Sequence, residues 1–407
     1  MRLLAGSFLP IALLPSLSFG TPTTTSLFTI PLQRQTQPAL LYLNFAEDDS
    51  PDMSDPHNAA VANQQVQVVT AIETGDGQTF PNMLVDTGSA FLWVDAGQTK
   101  YSPGPHSHRT NYTFDVGYGD GSASGDVYVD QVVIGSATVA HQYVGAATNV
   151  STFSSLVNFD GILGLGRNIG NNGSIPGKQV TPTFVDSLRS EGRIQARTIG
   201  VYLAAYDGNG TETDAGEITF GGVDRGKFLG DLAWAPQKMD NPHWAIQIDS
   251  VSYGTMSLPN STSEAIVDTG TLPILLPFHA FFGLSQLLNG TINNSGPLAG
   301  WLAVPPNITL ESLTLSIASA NFTIPPEAYL MPESLYAHYN VTGPQRQTWF
   351  ASGGFGNAAL GQKFLELYYS VYDSDNERIG FAPTTEGAGM KVSCGMGMES
   401  NVIPSCT

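Results

Sequence analysis

The stretch FPNMLVDTGSAFLWVD, Phe80–Asp95, runs as an apolar strand into an Asp-Thr-Gly turn and out into a second apolar run. Its centre returns at Glu264–Pro277 as EAIVDTGTLPILLP, with Thr in place of Ser after the glycine. If each residue type is used about once in twenty, a given tripeptide arises on the order of 10⁻⁴ times per position, so one Asp-Thr-Gly carries little weight. Two in matching apolar contexts carry much more. Each is followed downstream by an apolar-apolar-Gly segment, FDGILGLG at Phe159–Gly166 and AALGQKFLELYYSVYD at Ala358–Asp373. The chain therefore reads as a duplicated β domain.

Pairing such turns has a chemical reason. An aspartate at the tip of a glycine-containing turn is pinned by local hydrogen bonds, and a second turn related by an approximate two-fold axis brings two carboxyls within hydrogen-bond reach. Like charges that close cannot both ionise, so the pair holds one proton between them. One carboxylate can then draw a proton from a bound water while the protonated partner polarises a carbonyl oxygen, which is peptide hydrolysis without a covalent intermediate. The plainer alternative makes both aspartates turn formers at strand ends. It suits a single turn better than two.

Composition agrees with this class of protein and excludes others. The 407 residues, 42% of them hydrophobic, suffice for two cores. Asp and Glu number 35 against 16 Lys and Arg, a formal net charge of -19 that repels nucleic acid and anionic lipid and favours work at low pH. Short β-rich runs recur between turn signals from about Ala59 onward: QVQVVTAIET, NMLVDT, DVYVDQVVIG, EITFGG, AIQIDSVSYG, LTLSIA and RIGFAP. Helical patches are few, chiefly PTFVDSLRSEGR and HAFFGLSQLLNG. The fold class expected is all-β. The paired histidines His106 and His108 lack spaced carboxylate partners, so no metal site is expected, and no cofactor loop or nucleophile elbow appears.

The ends of the chain read differently. Residues 1–20 have a basic Arg2, a short apolar core and small Ser18 and Gly20, the pattern of a signal peptide, and no later stretch is long and apolar enough for a membrane anchor. Residues 21–58, with AEDDSPDMSDPHN offering little to bury, read as a leader that is removed. The two cysteines, Cys394 and Cys406, fall in the tail, residues 386–407, where an oxidising compartment would let them close one small loop. Sequons at Asn111, Asn149, Asn172, Asn209, Asn260, Asn289, Asn293, Asn307, Asn321 and Asn340 are candidate glycosylation sites on the secretory route.

Over Val61–Thr385 the chain resembles the pepsin-like aspartic proteases of family A1, and FLELYYSVYDSDNERIGFAP is especially similar to their secreted fungal, polyporopepsin-like branch. The resemblance implies a bilobal pepsin-like fold, two pseudo-two-fold related β-barrel-like lobes with a cleft between them, over residues 59–232 and 233–385. It implies Asp86 and Asp268 as catalytic, with Thr87, Gly88 and Ser89 and with Thr269, Gly270 and Thr271 supporting them. FDVGYGDGSASGDVYVD, Phe114–Asp130, matches the flap hairpin that closes on substrate, with Tyr118, Gly119 and Asp120 at its tip and Trp93 holding the tyrosine hydroxyl. Phe153 and Ile162 match pocket residues beside the scissile bond. Polypeptide substrates cut between hydrophobic residues at acidic pH, pepstatin-type inhibitors, a zymogen and an extracellular rather than vacuolar monomer are the corresponding expectations.

Several positions depart from the family pattern. Leu272, followed by Pro273, stands where a Ser or Thr usually bonds substrate backbone, Gln362 where an Asp is common, and Ala90 and Phe91 where a polar pair precedes LWV. The leader carries Arg34 but no basic cluster. Two classes of protein fit the whole: an active secreted endopeptidase, or a catalytically silent binding or inhibitor protein on the same fold. Silent relatives typically lose one Asp-Thr-Gly, and both are intact here.

Overall fold

Residues 27–36, 41–43, 61–63, 66–119, 121–151, 159–178, 180–206, 215–354, 358–386 and 392–394 are described by the computed structural model. They form mostly β-strands; each apolar run picked out above supplies one, except AIQIDSVSYG, which supplies two, Ala245–Ile248 and Ser250–Tyr253. In Gly121–Ile134 the inward positions are Ala123, Gly125 and Val127, then Asp130, Val132 and Ile134. The alternation changes phase between Val127 and Asp130, just before a register shift between Asp130 and Val132 whose extra residue lies on the partner strand Ala137–Ser151. The two helical patches become Phe184–Ser190 and Phe278–Leu287, the first started by a Thr183–Asp186 capping box.

The sequence repeat is a repeat of wiring. In the first half Gln78–Asp86 runs parallel to Gly161–Gly164, which is antiparallel to Leu92–Val94. In the second half Ser263–Val267 runs parallel to Ala358–Leu360, which is antiparallel to Ile274–Leu276. Each Asp-Thr-Gly sits where the chain leaves the first of these strands. The glycines of the two apolar-apolar-Gly segments are required by this crossing. A Cβ on Gly164 would lie 2.4 Å from the Ala90 carbonyl carbon, and one on Gly361 would lie 2.2 Å from the Pro273 carbonyl oxygen.

The first half closes into a barrel through Glu73 opposite Val133, which joins Val66–Thr74 to Gly121–Ile134. The second half carries a seven-stranded and a five-stranded sheet. The halves also share a sheet, since Tyr368–Asp373 and Arg378–Pro383 from the end of the chain extend the sheet through Thr198–Leu203. Buried aliphatic and aromatic side chains from both halves pack into one large core.

A strand not anticipated from the sequence lies within residues 21–58. Phe28–Thr36 inserts between Gly216–Phe220 and Val66–Thr74, with Ile30, Leu32 and Arg34 inward. Val392–Cys394 pairs with Ala320–Phe322. Residues 1–20, Asp120, Phe153, Asn209 and Cys406, and the side chain of Cys394, lie outside the described residues.

Replacing Gly361 by Ala should destabilise the fold by about 1–3 kcal/mol, because backbone carbonyls must yield to the new methyl group. Gly117→Ala, where an added Cβ meets nothing within 4 Å, is the control and should change little. Denaturant midpoints decide it; equal shifts in the two variants would show that the Gly361 crossing is loosely packed.

Candidate active site

The two turns face each other with matching hydrogen bonds. Asp86 Oδ1 accepts from the Gly88 N–H at 2.8 Å, and its Oδ2 accepts a short bond from the Ser89 hydroxyl. Asp268 Oδ1 accepts from the Gly270 N–H at 2.7 Å, and its Oδ2 from the Thr271 hydroxyl at 2.6 Å. The outer oxygen of each aspartate is thus held by a hydroxyl and the inner one by a turn amide. The turn glycines leave room for the opposite carboxyl: a Cβ on Gly88 would lie 2.6 Å from Asp268 Cγ, and one on Gly270 would lie 2.8 Å from Asp86 Oδ1.

Beneath the carboxyls the two threonines cross. The Thr87 N–H donates to Thr269 Oγ1 at 3.0 Å and the Thr269 N–H to Thr87 Oγ1 at 3.0 Å. Each hydroxyl donates onward to the other half, Thr87 to the Val267 carbonyl and Thr269 to the Val85 carbonyl. Both threonines are fully buried. The Tyr372 hydroxyl lies 3.4 Å from Thr87 Oγ1, its ring packed 5.5 Å from that of Trp244. Gln362 reaches the second turn through Nε2, which donates to the Thr269 carbonyl at 2.8 Å. An amide there ties down the turn without adding a third carboxylate.

His108–Tyr118 and Gly121–Ile134 form an antiparallel hairpin with Tyr118 at the end of its first strand. Trp93 Nε1 donates to the Tyr118 hydroxyl at 2.8 Å, and Gly119 follows at the tip. Ile162 pairs in register with Trp93 and is buried with it, Phe91 and Phe114, behind the cleft. Ala90 and Phe91 are likewise buried, and Leu272 packs with Leu275, Trp301 and Trp349 in the second-half core. The departures from polar residues at these positions are therefore paid in packing. Among the described residues no group of three or more His, Cys, Asp or Glu is placed to hold a metal ion, and no helix is long and apolar enough to cross a membrane.

One cavity of about 370 Å³ opens between the turn at Gly88–Phe91 and the flap at Asp115–Tyr118. His243 and Arg167 line it, and neither was marked by the sequence. A lone histidine in NPHWAI and a lone arginine after GILGLG carry no motif; only the fold brings them to the dyad. His243 Nδ1 lies 2.6 Å from the Gly88 carbonyl oxygen.

Residues 67–384 match the family model described as eukaryotic aspartyl protease. Polyporopepsin of Irpex lacteus is 32% identical over 337 residues, 79% of this chain and 96% of that protein. Aspergillopepsin-1 of Aspergillus fumigatus is 33% identical over 324 residues, 75% of this chain and 76% of that protein. The crystal structure of the aspartic proteinase from Irpex lacteus superposes with a TM-score of 0.72 at 27% identity, covering 89% of this chain and 99% of that one.

The electrostatics of the dyad make a testable statement. Burial, and next the charge of Asp268, push the Asp86 carboxyl from an ordinary 3.8 up to about 8, against the lowering effect of the Ser89 and Gly88 hydrogen bonds. A group whose proton is held more tightly in the folded chain stabilises the fold fully below its unfolded pKa, and that contribution is lost as pH rises through the folded value. Between pH 4 and pH 8 the thermal stability of the wild type should therefore fall more steeply than that of Asp86→Asn, whose amide does not ionise. Scanning calorimetry across that range measures both slopes; equal slopes would place the pH dependence elsewhere.

Proposed function

The chain belongs to the eukaryotic aspartyl proteases and is an aspartic endopeptidase of pepsin-like bilobal fold, and from that premise we propose a secreted zymogen whose mature form cuts between hydrophobic residues at acidic pH. The observation that carries the reading is the dyad itself: two carboxyls in hydrogen-bond contact, one of them pushed up to about 8, each held by a turn amide and a hydroxyl.

With one proton shared by the pair, the ionised carboxylate removes a proton from a water bound between them as its oxygen attacks the scissile carbonyl carbon. The protonated partner donates to the carbonyl oxygen, giving a neutral tetrahedral gem-diol. Collapse breaks the carbon–nitrogen bond, with a proton passing to the departing nitrogen and one returning to the dyad. Tyr118, held by Trp93, closes the flap over the peptide and excludes bulk water. Ile162 and Phe153 are assigned to the apolar pocket.

Residues 1–20 are the signal peptide, 21–58 the propeptide, 59–232 and 233–385 the two lobes and 386–407 the tail. The Phe28–Thr36 strand supports a propeptide that helps the chain fold, since removing it unpairs one edge of Gly216–Phe220 and one of Val66–Thr74. Cys394 and Cys406 pair in the extracellular space, the sequons carry glycans, and the enzyme acts as a monomer that pepstatin-type inhibitors block.

Asp86→Asn and Asp268→Asn should each lower hydrolysis of denatured haemoglobin at pH 3–5 to less than about one part in a thousand, since each keeps the shape and removes the shared proton's partner. A soluble, folded variant that retains more would take that carboxyl out of the mechanism.

Tyr118→Ala should depress kcat more than it raises KM, because flap closure aligns the peptide rather than only holding it. Steady-state kinetics on one peptide separates the two. A change confined to KM would reduce Tyr118 to a binding contact.

A further inference from the structure

The cavity beside the Gly88 turn is unusual for this chain in its charge. Acidic residues outnumber basic ones 35 to 16, yet the residues lining the wall include two basic ones, Arg167 and His243, and one acidic one, Asp115. Arg167 donates to the Asn241 carbonyl, and at 3.4 Å to that of Lys238, and has no ion-pair partner among the described residues. Glu377 acts on it electrostatically from beyond ion-pair distance. The guanidinium thus lies against backbone carbonyls with no carboxylate in ion-pair contact among the described residues, and an incoming anion could accept a charge-assisted hydrogen bond from it.

His243 adds a second group with a defined tautomer. A carbonyl oxygen only accepts, so the Nδ1 that faces Gly88 at 2.6 Å carries the ring proton. Nε2 is then the ring nitrogen left to meet a ligand. Asp115 is exposed and stands on the strand face opposite Phe114, Val116 and Tyr118; its amide donates to the Ser174 carbonyl at 3.0 Å.

Room and position complete the site. Added Cβ atoms at Gly117 and Gly173 would meet nothing within 4 Å, so these walls are backbone facing open space. The volume, about 370 Å³, falls in the range of ligand pockets, roughly 300–1,000 Å³. Gly88, whose carbonyl His243 holds, gives its N–H to Asp86 Oδ1, which puts the cavity next to the reacting bond.

We propose that this cavity is a substrate subsite for an acidic side chain, glutamate foremost, with His243 and Arg167 as the specificity-determining residues that bind its carboxylate. It rests on the endopeptidase reading above and adds to it: the peptide presents apolar residues at the bond cut and an acidic residue within two positions of it. A cationic pocket in a chain of net charge -19 offsets locally the repulsion that an acidic peptide meets at long range.

The test uses matched peptides with Glu, Gln or Lys at each of the two positions on either side of the scissile bond, at pH 5, where a free glutamate is largely ionised. At one position the wild type should show kcat/KM about tenfold higher for Glu than for Lys, equivalent to about 1.4 kcal/mol, with Gln between. In Arg167→Met and His243→Phe that ratio should fall toward one. Each ratio is taken within one preparation, so loss of folded enzyme cancels. The same peptides titrated calorimetrically into Asp268→Asn read the preference as a Kd ratio without hydrolysis. Failure to cut any peptide would therefore sink the protease reading while the Kd ratio still decides the subsite. Glu and Lys peptides within twofold at all four positions, or a glutamate preference unchanged in both variants, overturns the proposal.

Discussion

Everything at the centre of this molecule depends on the hydrogen bonds exchanged by Thr87 and Thr269. Each threonine satisfies a buried amide of the other half and is satisfied by it, and each hydroxyl also reaches a carbonyl across the junction. Removing one threonine hydroxyl while the junction stays closed would leave the other half's amide buried and unpaired, at a cost of about 1–3 kcal/mol. The crossing therefore fixes the separation of the two turns through backbone and short side chains, which leaves little rotameric freedom. Gly88 and Gly270 then let each turn approach the other's carboxyl more closely than any Cβ permits.

That enforced proximity produces the chemistry. Left to themselves, the turn amides and the Ser89 hydroxyl would stabilise an ionised Asp86. Burial and the second carboxyl act the other way and prevail, so a proton stays where a nucleophilic water and a carbonyl oxygen both need one. Hydroxyls on the outer oxygens and amides on the inner ones give the pair a near-symmetric setting, in which neither carboxyl is marked as permanent acid or permanent base. The residues around it preserve this balance. Gln362, at the start of the Gln362–Leu365 helix, binds the Thr269 carbonyl with a neutral amide.

The dyad, its supporting hydroxyls and the flap tyrosine were legible because each is encoded locally: a turn, a hairpin and an apolar run leave signatures within about ten residues. The Phe28–Thr36 strand was not, for two physical reasons. Pro31 interrupts it, which in isolation lowers a run's standing as a strand. Arg34 occupies an inward position of its alternation, and the carboxylate nearest it, Glu366, is 332 residues away in the chain. His243 and Arg167 were illegible for the same reason: their meaning lies in Gly88 and Asn241 as spatial neighbours. Ala90, Phe91 and Leu272 could be read as departures, but only their burial shows that the lost polar groups were exchanged for core.

The least expected part of the fold also bears on the site. Arg34, Lys363 and Glu366 are 3%, 3% and 7% exposed, so two cations and one carboxylate are buried together. Lys363 holds Glu366 at 2.9 Å and Arg34 meets it at 3.4 Å. The surplus positive charge faces aromatic rings, Arg34 4.7 Å over Tyr206 and Lys363 4.6 Å over Trp349, which stabilises cations removed from water. Loss of the Phe28–Thr36 strand would leave a balanced Lys363–Glu366 pair but would open two strand edges, so charge and strand pairing pull in opposite directions. Both influences converge on one turn of helix: Gln362 at its start grips the Thr269 carbonyl, while the adjoining Glu366 holds Lys363 and meets Arg34 of the strand. The Phe28–Thr36 strand and the Asp268 turn are thereby fastened to the same short element, and a change in one is transmitted to the other through a few buried side chains.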